Sequence, residues 1–273
     1  MVAATREQPA RYAGGKMLAA VDNGVGLITF NQPEKRNAMS VEMWEGLGQI
    51  LEEFRDDPAV RVAVLTGAGD KAFVSGADIS QFESRRANAD AQREYDRMTT
   101  RGRDQLSAFP KPVIAQIRGF CLGGGLGIAM QADLRVASAD SQFGIPAARL
   151  GIAYTPDAVR RLISLVGPAH ARMILYTGSR IDAAEAQRIG LINKMVAVEE
   201  LADSVMSIAH TIANNAPLSI LASKITVDQM LRDPAERDLE RVQRAAAACF
   251  DSADYREGRT AFMEKRAPRF QGR

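Results

Sequence analysis

Residues 115–131 read AQIRGFCLGGGLGIAMQ, an apolar strand pattern that runs into three consecutive glycines and then a helix pattern. Upstream, residues 73–79 read FVSGADI, a second small-residue turn that leads towards another helix. Such turns bare backbone N–H groups, and a helix N-terminus adds positive dipole character there. Two of them converging on one point can polarise a thioester carbonyl and hold the enolate or oxyanion that forms from it. That combination points to acyl-CoA chemistry. Taken singly, each turn is equally well a plain strand-to-helix connection, and Asp78 favours a helix start on its own. Other phosphate-binding readings fail: the glycines at 123 and 125 are not followed by one at 128, and Gly14-Gly15-Lys16 is followed by Met17.

These turns need elements to carry them. Residues 25–31 (VGLITFN) read as a short strand closed by Gln32-Pro33-Glu34. Ser40 is placed to cap a helix whose apolar stripe is Val41, Trp44, Leu47, Leu51 and Phe54. Asp57-Pro58 ends it, and residues 60–66 follow as a buried strand. Residues 113–117 and 134–137 repeat the short-strand theme, so strands alternating with helices predict an α/β core. From 199 to 265 only helical patterns occur, at 201–213, 220–230, 236–250 and 255–265. The division expected is an α/β core over 1–197 and a helical docking or assembly region over 198–273. Residues 85–93 (RRANADAQR) are polar and read as a mobile stretch near the first turn.

The chain has 273 residues, 46% of them apolar, and a net charge of +2 with both signs interspersed. This is enough for one large core and makes no case for nucleic acid or a membrane surface. Two distant cysteines, Cys121 and Cys249, lack metal-ligand spacing and suit a reducing compartment. With no signal-like run and no stretch of transmembrane length, the expectation is a cytoplasmic protein. An arginine-containing N-terminal stretch leaves an organelle-targeting alternative open.

The order and setting of the motifs resemble the crotonase (enoyl-CoA hydratase/isomerase) superfamily. The matching stretches are NQPEKRNAMS (31–40), KAFVSGADIS (71–80), RGFCLGGGLGIAMQADLRVAS (118–138), FGIPAARLGI (143–152), YTGSRIDAAEAQRIGLINKMV (176–196) and AFMEKRAPRF (261–270). The resemblance implies a crotonase-like spiral of ββα units with a C-terminal helical trimerisation region. It implies oxyanion-hole N–H groups on Ala77 and Gly124. It also implies a coenzyme A surface around Lys35, Arg36, Ala38, Ala77, Asp78, Ile79, Leu122 and Gly123. Phe262 and Lys265 match positions that reach the coenzyme of a neighbouring subunit, which implies a homotrimer or a dimer of trimers. Coenzyme A enters only as part of the thioester substrate, with no permanently bound cofactor and no metal.

The pattern breaks at two places. Hydratases of this family use two glutamates, one to activate water and one to move the proton beside the carbonyl. Those positions are Gly127 and Ala147 here, and neither residue can act as a general acid or base. Tyr154, seven residues beyond Ala147, is similar to a tyrosine in decarboxylases of the superfamily that act on 2-carboxyacyl-CoA, and a phenol can orient a carboxylate or donate a proton. Those enzymes can carry histidine where Ala77 stands. Asp157 is a second candidate, although Thr155-Pro156-Asp157 already reads as N-cap, proline at the first helical position and an acid in the first turn. His170 and His210 have no ligand partner at metal spacing and read as structural. Three readings follow: a hydratase- or isomerase-like enzyme, a decarboxylase or other lyase using Tyr154, and a non-catalytic CoA-thioester binding protein.

Overall fold

The computed structural model describes residues 8–78 and 89–273. Strands β1 (Ala10–Tyr12), β2 (Met17–Asp22) and β3 (Val25–Phe30) open the chain. β2 and β3 form an antiparallel hairpin across Asn23 and Gly24, both with positive φ, which matches the right-handed twist of the strands it joins. Ser40 accepts the amide of Met43 and caps α1 (Val41–Asp56), whose buried residues include all five of the expected stripe. α1 approaches the sheet at Gly26, where a β-carbon would stand 2.5 Å from the Phe54 ring.

From there the chain repeats one theme. β4 (Val62–Gly67) is followed by β5 (Ala72–Val74) and α2 (Ala89–Ser107). β6 (Val113–Ile117) is followed by β7 (Phe120–Leu122) and α3 (Gly124–Ala129). β8 (Leu134–Ser138) is followed by β9 (Gln142–Gly144) and α4 (Pro156–Thr177). In each unit the first strand joins a large sheet and the second joins a small one. With β10 (Ile181–Asp182) and β11 (Lys194–Val196), the large sheet runs β1-β2-β3-β4-β6-β8-β11 and the small one β10-β9-β7-β5. β3, β4, β6, β8 and β11 are parallel, and so are β5, β7 and β9. This is the expected α/β architecture of ββα units.

Period-two alternation tells the large sheet which face is which. Ala63 and Leu65 of β4 point into the main core with α1 and the small sheet, whereas Val62 and Val64 point to the other face. That second face is sealed by α6 (Leu201–Asn214), through Leu201, Val205, Ala209 and Ala213 at four-residue spacing. The short α5 (Ala183–Arg188) precedes β11. The boundary expected at 197/198 therefore falls inside one packing unit. Beyond α6 lie α7 (Pro217–Met230), α8 (Leu239–Asp251) and α9 (Ala253–Met263), which leave Val227, Leu231, Leu239, Phe250, Phe262 and Met263 exposed.

One local expectation is corrected. Thr155 occupies the N-cap position of α4 in extended conformation, but its side chain accepts no amide; Pro156 and Asp157 carry the helix start. α4 is also two segments, broken at Gly167 (φ 72°), so His170 sits in the first turn after Pro168. Among the described residues no helix is long and apolar enough to cross a membrane.

Candidate active site

The parallel small sheet assembles the site. Because β5, β7 and β9 lie side by side and run the same way, their C-terminal ends bring together Ser75-Gly76-Ala77, Gly123-Gly124 and Ile145-Pro146-Ala147. The gap beyond the carboxyl ends of parallel strands is where α/β sheets present ligands to loops and helix starts.

Each of the three glycines answers a different demand. Gly123 has φ 51° and ψ −117°, a backbone closed to ordinary side chains. Gly125 packs α3 directly on β5: a β-carbon there would stand 2.0 Å from the Val74 carbonyl oxygen. Gly124 faces the opposite turn, since a β-carbon on it would lie 3.7 Å from the amide nitrogen of Ala77. The two expected oxyanion donors thus flank one small space. α3 is only six residues long, so it is these two peptides, more than a helix dipole, that define the space.

The 31–40 segment fixes the Ala77 turn from the other side. Met39 and Ala77 form a parallel bridge, with Met39 N–H donating to Gly76 O (2.8 Å) and Asp78 N–H to Met39 O (2.9 Å). Ser75 N–H donates to Arg36 O (3.1 Å). Lys35 Nζ donates to Asp78 Oδ2 at 2.9 Å, and that buried carboxylate holds the ammonium above its ordinary pKa. Arg36, with φ 51°, lies over the Phe120 ring, which Arg180 also approaches. Ala38 is buried and Leu122 partly so, with the Leu122 carbonyl beside Gly76.

Tyr154 stands beside Gly127, one of the two positions at which the resemblance leads one to expect a carboxylate. Its hydroxyl donates to Gly123 O at 2.8 Å and stands 3.3 Å from where a β-carbon on Gly127 would be. Ala147 is buried in the 3-10 turn Pro146–Leu150, whose proline lies against Gly123. Burial pushes the Tyr154 phenol well above its ordinary pKa; Cys121 adds to the rise and Arg103 opposes it. The phenol is therefore neutral at physiological pH and is a hydrogen-bond donor there, not a base. Burial likewise raises the Cys121 thiol, which rules it out as a ready nucleophile.

Several expected residues stand apart. Phe262 is 83% exposed at the end of α9, and Lys265 follows it in left-handed conformation. Among the described residues no hydrogen bond or ion pair joins them to the Ala77 and Gly124 loops. Asp157 is exposed in the first turn of α4. Ile79, and residues 85–88 of the polar stretch, lie outside the described residues.

Two contributors escaped the motif reading. Asn37, fully buried with φ 56°, accepts Gln32 N–H at 2.9 Å. It also donates to Ala68 O (3.0 Å) and Ala72 O (2.8 Å), riveting the 31–40 loop to β5. An asparagine between charged and apolar residues is a fair sign of left-handed backbone, and that was its only signal. Arg103, on α2 over the Trp44 ring, places its charge near Tyr154 from a helix whose polar sequence hides it.

Known proteins share this sequence and fold. The enoyl-CoA hydratase/isomerase family description matches residues 20–273. A short-chain-enoyl-CoA hydratase of Clostridium acetobutylicum is 37% identical, the match covering 89% of this chain and 92% of that protein. A crotonyl-CoA hydratase of Syntrophomonas wolfei is also 37% identical, covering 90% and 94%. The crystal structure of an enoyl-CoA hydratase/carnithine racemase from Magnetospirillum magneticum superposes with a TM-score of 0.90 at 33% identity, covering 94% of this chain and 96% of that one. By its fold and across nearly its whole length, this chain belongs to the enoyl-CoA hydratase/isomerase family of the crotonase superfamily.

Proposed function

We propose that the protein is an acyl-CoA-processing enzyme that binds its thioester oxygen between the N–H groups of Ala77 and Gly124 and stabilises the enolate formed there. The observation that carries this reading is the convergence of the two turns, 3.7 Å from the Ala77 nitrogen to a β-carbon position on Gly124. Preorganised donors of this kind act where charge develops, and each is worth about 10²–10³-fold in rate. Hydration or isomerisation at this centre needs a base that Gly127 and Ala147 do not supply.

A second reading is favoured by the neutral Tyr154 beside Gly127: decarboxylation of a 2-carboxyacyl-CoA. In that reaction the bond from C2 to the carboxylate breaks, carbon dioxide leaves, and its electron pair passes into the enolate. A proton then adds at C2. No group has to remove a proton, so the loss of two carboxylates is no obstacle. Tyr154 enters this reading as the hydroxyl that orients the carboxylate or feeds the proton.

Coenzyme A is the substrate's handle, held at the surface around Lys35, Arg36 and Ala38 with the Ala77 turn and Leu122-Gly123, with no permanent cofactor. The exposed apolar residues of α7 to α9 support assembly as a homotrimer or a dimer of trimers, in which Phe262 and Lys265 of one copy reach the coenzyme of the next. The unpaired Cys121 and Cys249 fit a cytoplasmic location. The test is a mixed panel of enoyl-, 3-hydroxyacyl- and 2-carboxyacyl-CoA thioesters with products read by mass. Gain or loss of water supports the hydratase reading, and loss of carbon dioxide supports the decarboxylase. Binding across the panel without turnover would support a non-catalytic CoA-thioester binding protein.

A further inference from the structure

We infer that Tyr154 is a positioning residue that strengthens the oxyanion donor on Gly124 through the peptide it shares with Gly123. This rests on the reading of Gly124 as an oxyanion donor. The carbonyl of Gly123 and the N–H of Gly124 are opposite ends of one planar, conjugated peptide unit. That carbonyl accepts two hydrogen bonds, the helical one from Gly127 N–H at 3.0 Å and a second from the Tyr154 hydroxyl at 2.8 Å. A carbonyl has no hydrogen to give, so the phenol must be the donor. Pulling electron density towards the oxygen makes the N–H at the other end more acidic, and chained hydrogen bonds strengthen one another by about 10–30% per bond.

The same contact also fixes the peptide's orientation. Gly123 sits at a backbone angle only glycine adopts freely, so the loop has few intrinsic restraints, and the phenol supplies one. Gly127 is the other half of the device. With no side chain there, the hydroxyl has room to reach Gly123, and a β-carbon would meet it at 3.3 Å. The phenol's single hydrogen is committed to Gly123, so it reaches a substrate only if that bond is broken. Acting through the peptide and acting on the substrate are therefore separable roles.

The experiment is isotope-edited infrared difference spectroscopy of bound butyryl-CoA carrying carbon-13 at the carbonyl, a saturated thioester that reports polarisation without turnover. The wild type is expected to shift the carbonyl band to lower wavenumber. Tyr154→Phe, which removes only the oxygen, is expected to reduce that shift by about 10–30%. Gly127→Ala, which crowds the hydroxyl and keeps the phenol, should move the band in the same direction and serves if Tyr154→Phe does not fold. A wild-type shift left unchanged in both variants overturns this inference and leaves the oxyanion reading standing. A bound thioester with no shift in the wild type overturns the oxyanion reading itself.

Discussion

The phenolic oxygen of Tyr154 stands 3.3 Å from the point a β-carbon on Gly127 would occupy. These two residues, 27 positions apart, are complementary: a long side chain at one place uses the space that a missing side chain leaves at the other.

A glutamate cannot simply be placed at 127. Gly127→Glu alone should destabilise the fold by about 1–3 kcal/mol through overpacking against the phenol. Combined with Tyr154→Ala, the cost should fall, giving a coupling energy of about 0.5–3 kcal/mol. Denaturant midpoints of the four proteins measure it, and strict additivity would mean the two side chains do not compete. The triple variant Gly127→Glu, Ala147→Glu, Tyr154→Ala should then gain measurable hydration of crotonyl-CoA.

Deleting the N–H of Gly124, the proposed second oxyanion donor, should be costly for chemistry and cheap for folding. Gly124 is the first residue of α3, where proline is well tolerated. Gly124→Pro should remove much of the infrared shift of the bound butyryl-CoA carbonyl with little change in melting temperature, and slow turnover of any thioester the panel identifies as substrate by about 10²–10³-fold. An unaltered carbonyl band would mean the N–H of Gly124 does not meet the thioester.

The ion pair of Lys35 and Asp78 ties the 31–40 loop to the Ala77 turn. Because the folded-state pKa of Lys35 is raised, its stabilisation is complete below the ordinary lysine value and fades as pH climbs past it. Lys35→Met should therefore melt earlier than wild type at pH 7, with the two curves drawing together at strongly alkaline pH. A gap that persists there would assign the effect to packing of the lysine stem.

Glu257 responds in the opposite pH range. Its carboxylate accepts Arg266 at 2.6 and 2.9 Å and the amide of Arg269 at 2.8 Å, which push its pKa down to about 2. A depressed folded pKa contributes stability above the unfolded value that is lost as pH falls towards 2. Glu257→Gln should lower the melting temperature at pH 7, and its deficit should vanish between about pH 4 and pH 2. A deficit independent of pH would mean the charge is not what holds this turn.

Much of this was legible in the chain itself. The α1 stripe has a 3.6-residue period and β6 is a short apolar run, so both could be read directly. The glycine triplet announced a close approach, but its three separate duties depend on Val74 and Ala77, which are distant in sequence. Asn37 and Arg103 act across the fold, and no local periodicity marks such contacts. The role of Thr155 was overread because a residue type suited to capping need not make the cap when proline already starts the helix. The helices after 198 looked like a module of their own because strand signals stop there. The face that α6 covers is written in β3, β4, β6 and β8 instead.

That covered face has a consequence for how the polypeptide holds together. Val25, Val62, Val64, Ile114 and Val136 have α6 as their shelter from water. A fragment ending at 197 would present them as a bare apolar strip on parallel strands, where burying each large side chain is worth about 1.5–3 kcal/mol. Such a fragment should be sticky and poorly soluble, not an independent domain. The stretch that reads as an appendage is thus the sheet's own cover.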